Sequence, residues 1–225
     1  MNTLLLCLIG PMQSWGLQSH FSVRDTGREP SKSGVLGLVC AAMGIPREDD
    51  ARLRPLAGLR MGVRVDREGK LSRDYHTACN VLKAGGGIKE TEPSTRYYLA
   101  DAAFLVGLEG SDLAMLEEIQ AALAKPVWQL FLGRKAFVPA EPVYLPDGLL
   151  PGVSLEDALR DHPYLGRPPT PERYRIVVET PDGDFVQPDQ PVSFASRKFT
   201  SRRVRIGFLD AAGKPEEAEP CTSPD

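Results

Sequence analysis

Four consecutive residues, Ser31, Lys32, Ser33 and Gly34, combine two hydroxyls, one ammonium and one glycine. These groups suit a phosphate, because the hydroxyls and the ammonium donate hydrogen bonds and glycine lets a ligand approach the backbone. A helix capped by Ser33 would add unpaired amides and the positive end of its dipole. Arg24 and Arg28 lie upstream, where they would hold neighbouring phosphates. The stretch predicts an anion site, although an ordinary capped helix with solvated charges would use the same residues.

Side chains suited to unpaired bases lie before that stretch. Trp15 could stack on a base, and Gln13 could hydrogen-bond to a base edge. A tryptophan here could equally belong to the core, because burying its large apolar area stabilises a domain. Contact with RNA is therefore an expectation that stands beside a packing role.

A second basic stretch lies between Phe194 and Phe208. It contains no acid and five bases, namely Arg197, Lys198, Arg202, Arg203 and Arg205. Such a strip could bind RNA or an acidic protein partner. A solvated edge strand that resists aggregation would carry similar charges.

Few residues could carry catalysis. The three histidines, His20, His76 and His162, form no HxxxH or HExxH pattern, so no metal site is predicted. Metal-independent RNA cleavage would need a general base, for which His20 or His76 with Tyr75 and Lys135 would serve. His76 would otherwise contact RNA or a partner. No glycine-rich stretch is followed by GKS or GKT, so nucleotide hydrolysis by a P-loop is excluded, and no cofactor is predicted.

Charge and cysteine content limit the class of function. The 225-residue chain has a formal net charge of −3 and a pI near 5.7, which argues against a free-standing nucleic-acid binder. From 210 to 225 five acids outnumber a single lysine, which predicts an acidic, flexible tail. The four cysteines form no CxxC pair, and no apolar segment is long enough to span a membrane. These features predict a cytoplasmic protein with free thiols.

Hydrophobic patterns predict the elements that would position these residues. Strands are predicted at 3–9, 61–66, 102–108 and 127–132, and helices at 33–43 and 113–123. The order strand, helix, strand, strand, helix, strand is typical of ferredoxin-like and RNA-recognition-motif domains. Such an α+β fold has helices on one face of an antiparallel sheet and can bind a ligand on the other.

Two segments exceed this minimum. Residues 70–95 lie between the middle strands, where a hairpin needs only about two to five residues, so they are expected to project as an arm. After a ferredoxin-like domain at 1–133, residues 134–209 contain a predicted helix at 154–160 and predicted strands at 174–179 and 203–209. They predict a small strand-rich extension packed on the first domain, before the tail at 210–225.

Six sequence fragments resemble one known family. They are GPMQSWG at 10–16, TGREPSKSGVLGL at 26–38, RDYHT at 73–77, YLADAAF at 98–104, FLGRK at 131–135 and FASR at 194–197. The chain resembles the CasD subunits of the type I-E CRISPR Cascade complex, which belong to the RAMP superfamily. Six matches in the same order are far more specific than any one of them.

The resemblance implies a ferredoxin-like RAMP domain with a thumb-like arm, seated at the 5′ end of the CRISPR RNA. There the subunit would hold the repeat-derived 5′ handle, contact the adjacent backbone subunit and help to seat the large subunit. Target DNA would be reached only through the complex. The resemblance implies no nuclease activity in this subtype. Relatives in another subtype cut their RNA, so a metal-independent endoribonuclease that processes repeat RNA is the alternative.

Residue patterns and resemblance together predict the residues that contact RNA. They are Gln13, Trp15, Arg24, Arg28, Lys32, Ser33, Gly34, His76, Arg134, Lys135, Arg197 and Lys198. Two acids, Asp25 and Glu29, lie among them. Glu29 stands where the family usually has an apolar residue, and it is expected to face away from RNA.

Overall fold

The computed structural model describes residues 1–16, 22–166 and 170–210. In chain order the elements are β1 (Asn2–Ile9), β2 (Met12–Gln13), β3 (Val23–Arg24), α1 (Lys32–Ala42), α2 (Asp50–Ala57), β4 (Arg60–Arg67), β5 (Lys70–Leu82), β6 (Ile88–Ala100), β7 (Ala103–Gly110), α3 (Leu113–Ala124), β8 (Tyr144–Leu150), α4 (Leu155–Asp161), β9 (Arg173–Glu179), β10 (Phe185–Ser193) and β11 (Lys198–Asp210).

A seven-stranded antiparallel sheet, in the order β10-β11-β9-β4-β7-β1-β8, forms the centre of the protein. Leu4, Leu6 and Leu8 of β1 pack in the core that includes α1 and α3, whereas Leu5 packs with Leu155 of α4. Because neighbouring side chains of a strand point to opposite faces, α4 lies on the face opposite to α1 and α3. The fold is therefore α+β with an antiparallel main sheet, as expected.

Helix α1 begins earlier than its sequence pattern predicted. Its N-cap is Ser31, whose hydroxyl accepts a 3.3 Å hydrogen bond from the amide of Gly34. Ser31 has the extended backbone that a cap requires, with φ −75° and ψ 148°. Ser33 lies inside the first turn, so its predicted capping role is wrong. The helix ends at Met43, and Gly44 follows with φ +64°, which glycine adopts without strain.

The insertion between the middle strands is a long β-hairpin made of β5 and β6. The two strands pair from Lys70 with Ala100 to Leu82 with Ile88. Most of β5 is exposed. The short strands β2 and β3 pair with β6 on the side of the hairpin that leads into the main sheet. The arm expected at 70–95 is thus a two-stranded ribbon held at its base.

The predicted strand at 127–132 is wrong. This segment instead lies beside the end of α1 in space. The amides of Trp128 and Val127 donate to the carbonyls of Ala41 and Ala42, at 3.2 and 2.9 Å. Its apolar pattern arises because Leu130 and Leu132 reach the core without strand pairing. The fourth strand of the central set is β8, which pairs with β1.

The later part of the chain continues the same sheet. The predicted helix at 154–160 corresponds to α4, and the predicted strands at 174–179 and 203–209 correspond to β9 and part of β11. Because β9 pairs directly with β4, the sheet runs across the boundary expected after 133. Apart from Asp210, which ends β11, the expected tail lies outside the described residues.

None of the helices in the described ranges combines the length and the apolar character that a membrane crossing requires.

Candidate nucleic-acid interface

Gln13 and Trp15, which were predicted to contact bases, are both buried. The side-chain amide of Gln13 donates to the carbonyls of Leu8 and Ala102 at 3.0 Å, and its oxygen accepts a 3.1 Å hydrogen bond from the Trp15 indole. The Trp15 side chain is 1% exposed and lies against Gly34, where a β-carbon would be 2.9 Å from the ring. The structure corrects the expectation, because these residues hold the loop after β1 against the core and are not available to a base.

Lys32 is also buried, at 1% exposure. Its backbone amide donates to the carboxylate of Asp189 at 2.7 Å, and its ammonium donates to the carboxylate of Glu179 at 2.9 Å. Burial lowers the pKa of Lys32, and Glu179 acts in the opposite direction. A protein carboxylate thus occupies the amino terminus of α1. The phosphate site predicted there is corrected, because its ammonium and its first amide are already bound.

Three arginines from separate parts of the chain come together beside the hairpin, and we term them the arginine cluster: Arg24, Arg96 and Arg134. Strand β3 pairs in parallel with β6, which places Arg24 opposite Arg96. The guanidinium of Arg134 donates to the carbonyl of Tyr97 at 2.8 Å. Burial lowers the pKa of Arg134, and the charges of Arg96 and Arg24 lower it further, although Asp74 and Asp25 oppose them. A phosphate bound here would reduce the repulsion between the guanidiniums.

His76 lies on β5 close to this cluster. It pairs with Ser94 of β6, whose hydroxyl donates to the carbonyl of His76 at 3.4 Å and accepts from the guanidinium of Arg96 at 3.2 Å. The His76 side chain is exposed. Lys135 follows Arg134 in the chain and is exposed as well, so both residues can approach a strand that binds the cluster.

Arg28 is exposed in the loop before α1, whereas its neighbour Glu29 pairs with Arg175 of β9 at 3.0 Å. Glu29 is therefore held by a cation of its own chain. This contact accounts for an acid in the middle of a basic stretch without placing it against RNA.

The second basic stretch is divided between exposed and bound residues. Arg197 and Lys198 are exposed at the turn between β10 and β11, and Arg197 has φ +53°. The other three bases bind groups of the chain itself: Arg202 binds Asp189, Arg203 donates to the carbonyl of Gly183 and Arg205 binds Asp182. Of these five bases, Arg197 and Lys198 are therefore the two whose charges are available for a ligand to bind.

A groove of about 360 Å³ runs along the outer side of α1, and we term it the α1 groove. Its lining includes Ser33, Gly34, Gly37, Trp128, Phe131 and Phe194. Trp128 is 48% exposed, and Arg47 adds a positive charge. Aromatic rings beside a cation bind unpaired bases by stacking. Ser33 and Gly34 therefore belong to a groove suited to a base rather than to a phosphate site.

Among the residues considered for metal-independent cleavage, His76 and Lys135 are exposed beside the arginine cluster, whereas Tyr75 is turned away from His76. Tyr75 and His76 are neighbours on β5, so their side chains point to opposite faces of the hairpin. His20 lies outside the described residues. Within the described ranges no group of three or more His, Cys, Asp or Glu side chains is placed to hold a metal ion.

One protein-family model matches the chain over nearly all of the strands and helices described above. A family model described as CRISPR-associated protein (Cas_Cas5) matches residues 3–205, from β1 into β11. The chain belongs to this Cas5 family. It is also 33% identical over 224 residues to the "CRISPR system Cascade subunit CasD" of Escherichia coli (strain K12), covering 93% of this chain and 98% of the relative. The resemblance to CasD subunits is thereby confirmed.

Two solved structures resemble this Cas5 chain over most of its length. One, described as "Crystal structure of Cas protein", is 44% identical with a TM-score of 0.77, and the match covers 92% of this chain and 95% of the other. The second, from a "CRISPR RNA-guided surveillance complex", is 34% identical with a TM-score of 0.75, covering 93% and 90%.

The sequence patterns did not identify two residues of the candidate interface in this Cas5 chain, Arg96 and Trp128. Arg96 was not predicted, because its place beside Arg24 depends on the parallel pairing of β3 with β6. Trp128 was assigned to a strand, and its position at the α1 groove depends on the segment that follows α3. The available signal was a second tryptophan only a few residues before the FLGRK fragment.

Proposed function

We propose that this Cas5 chain is a non-catalytic RNA-binding subunit of a Cascade-type CRISPR surveillance complex in the cytoplasm, and that it holds the 5′ handle of the CRISPR RNA. The observation that carries the proposal is the junction at Gly133 and Arg134. Gly133 lines the α1 groove, and the next residue belongs to the arginine cluster. The aromatic groove and the group of guanidiniums thus meet at two adjacent residues.

That surface fits a single strand better than a duplex. Bases of a single strand are free to stack, so Trp128 would receive a base while the arginine cluster binds the phosphates of neighbouring nucleotides. Lys135 and His76 would contact the strand at the edge of the cluster. The near-neutral charge of the whole chain agrees with RNA that is held jointly with other subunits.

The fold proposed for the central part is the ferredoxin-like RAMP arrangement. Support comes from the strand order β8-β1-β7-β4, with α1 and α3 packed in one core on the same face. The domain would then extend past 133 to Leu150, because β8 supplies its fourth strand.

The β5–β6 hairpin would be the thumb-like arm that reaches the adjacent backbone subunit, while the large subunit binds elsewhere on the chain.

Support for a non-catalytic role is chemical. Cleavage without a metal needs a general base at the 2′-hydroxyl and a general acid at the leaving 5′-oxygen, and both must reach one phosphate from the same protein surface. Tyr75 and His76 point to opposite faces of β5, so Tyr75 does not serve as the acid for His76. The Escherichia coli relative is described as a Cascade subunit. The contact with target DNA would be indirect, through the assembled complex.

The proposal is tested by the salt dependence of RNA binding. If about four phosphates are neutralised, a plot of the logarithm of affinity for handle RNA against the logarithm of salt concentration should have a slope of about −2.8. Changing Arg24→Gln, Arg96→Gln and Arg134→Gln together should reduce the magnitude of this slope by about 2. The matched control is Arg54→Gln, which changes an exposed arginine on α2. An unchanged slope in the triple variant would refute the assignment of this surface.

Enzymatic activity is tested separately. The purified chain, incubated with repeat RNA in the absence of metal ions, should leave the RNA intact over hours. RNA cleavage that disappears in His20→Ala or His76→Ala would overturn the non-catalytic assignment.

A further inference from the structure

A second groove lies on the other side of the main sheet, between α4 and β8, and we term it the α4 groove. Its volume is about 410 Å³. Its floor is apolar and includes Leu5, Leu150 and Val153, while its rim carries Asp147, Asp157 and Asp161. Because Leu5 packs with α4 and not with α1, this groove faces away from the side of the sheet that α1 covers.

The rim of the α4 groove is negatively charged. Arg160 pairs with both Asp157 and Asp161, at 2.6 and 2.8 Å, so one guanidinium is shared by two carboxylates and Asp147 adds a third. His162 also lines the groove, and burial lowers its pKa, so it adds no positive charge near neutral pH. Such a rim repels the phosphates of RNA and attracts lysine or arginine.

The wall of the α4 groove is rigidly built. Arg64 is fully buried, and its guanidinium binds Asp66 at 2.7 Å. The same guanidinium donates to the carbonyls of Leu159, His162 and Pro163, at 2.6, 2.6 and 2.8 Å, which fixes the end of α4 and the residues after it. A groove whose shape exists before binding loses little conformational entropy when a ligand enters.

The adjacent edge of the sheet is poorly suited to strand addition. Strand β8 ends the sheet order, but Pro146 removes one backbone donor and the pairing of β8 with β1 is irregular. A partner would therefore bind through side chains in the groove rather than by extending the sheet.

We propose that the α4 groove binds a neighbouring protein subunit, through a segment that places an apolar side chain on the floor and lysine or arginine side chains at the rim. The inference rests on the proposed function, since the complex supplies the neighbour. The two proposed ligands then bind on different sides of the main sheet. RNA binds on the side of α1 and the arginine cluster, and a basic protein segment binds on the side of α4.

The direct test is carbodiimide crosslinking of the assembled complex, which joins carboxylates to lysine amines in contact. Peptides that contain residues 147–161 should become linked to lysines of a different protein subunit. Links only between two copies of this chain would overturn the proposal; if the segment presents arginine, which carbodiimide does not couple, the charge reversal below decides.

Charge reversal gives an independent readout. Asp147→Lys with Asp161→Lys should lower incorporation of the wild-type neighbour by at least about tenfold, while the melting temperature and the salt slope for handle RNA stay unchanged. The matched control is Glu117→Lys with Glu118→Lys on the exposed side of α3, which should assemble normally. Normal assembly of the Asp147 and Asp161 variant would contradict the groove assignment. Failure of the RNA-binding proposal would appear instead in the salt slope of the arginine-cluster variant.

Discussion

The carboxylate of Asp189 accepts a 2.7 Å hydrogen bond from the backbone amide of Lys32, the first residue of α1. The same carboxylate binds the guanidinium of Arg202 through two contacts, at 2.7 and 3.0 Å. An acid from β10 therefore fills the helix terminus that the sequence pattern assigned to a phosphate. It also fixes α1, and with it the α1 groove, to the far end of the sheet.

Removing this acid should destabilise the fold. Asp189→Ala should lower the free energy of unfolding in urea by about 3–5 kcal/mol, because the buried charge of Arg202 loses both contacts with Asp189 and keeps only Glu179, at 3.5 Å. The control is Asp182→Ala, which breaks an exposed pair with Arg205 and should have little effect. Equal stability of the two variants would contradict the structural role of Asp189.

The two tryptophans should give opposite phenotypes. Trp15→Ala should lower the free energy of unfolding by about 3–5 kcal/mol, because it empties a core position. Trp128→Ala should leave stability nearly unchanged and weaken handle binding by about 1–3 kcal/mol, the usual contribution of one stacked base. Trp128→Phe, which keeps an aromatic ring, should restore most of the affinity. Loss of stability without loss of affinity in Trp128→Ala would remove the residue from the RNA surface.

Gly133 should tolerate no side chain. Its φ is +95°, and a β-carbon would overlap the carbonyl oxygen of Ser14. Gly133→Ala should therefore cost at least about 1–3 kcal/mol in stability and should displace Arg134, which flattens the salt dependence of RNA binding. Gly85→Ala, at a position with no atom within 4 Å of the new β-carbon, should match the unmodified protein in both measurements.

His162 should make stability depend on mildly acidic pH. Burial lowers its pKa from the usual value of 6.5, so below that value the unfolded chain binds a proton that the folded chain accepts only at lower pH. The free energy of unfolding should therefore fall as the pH drops from about 6.5 to about 5.5. His162→Asn should reduce this fall, whereas above about pH 7.5 the variant and the unmodified protein should show the same pH dependence. If the two proteins lose the same unfolding free energy between about pH 6.5 and 5.5, His162 is not the source of the pH dependence.

Local patterns predicted the elements whose burial is regular. The apolar runs of β1 and β7 and the spacing of Leu116, Ile119 and Leu123 in α3 reflect faces that are covered along their whole length. The segment at 127–132 was misassigned because a run of apolar residues also arises where irregular backbone lines a core. Its hydrogen bonds to the end of α1 are contacts that no local pattern reveals.

The candidate site was less predictable, because its chemistry depends on distant partners. Lys32 was assigned to RNA from its neighbours in sequence, but its true neighbours, Glu179 and Asp189, lie in β9 and β10. Arg24 was predicted from its position before the Ser31–Gly34 stretch and Arg134 from the FLGRK fragment, and the two meet in one cluster with Arg96, which no motif marks. Whether a charge is free for a ligand is decided by tertiary pairing, and this is the information that a single sequence lacks.

The central position of β1 also has a consequence for synthesis of the chain. Thr3 pairs with both Glu109 and Leu150, so β1, which is synthesised before both of its partner strands, stays unpaired until β7 has been made and keeps one open edge until β8 follows. Sheets built from such distant contacts fold slowly, and an unpaired apolar strand is prone to aggregate meanwhile. The supply of folded subunit should therefore depend on translation rate and chaperone capacity, quite apart from how well the finished protein binds its RNA.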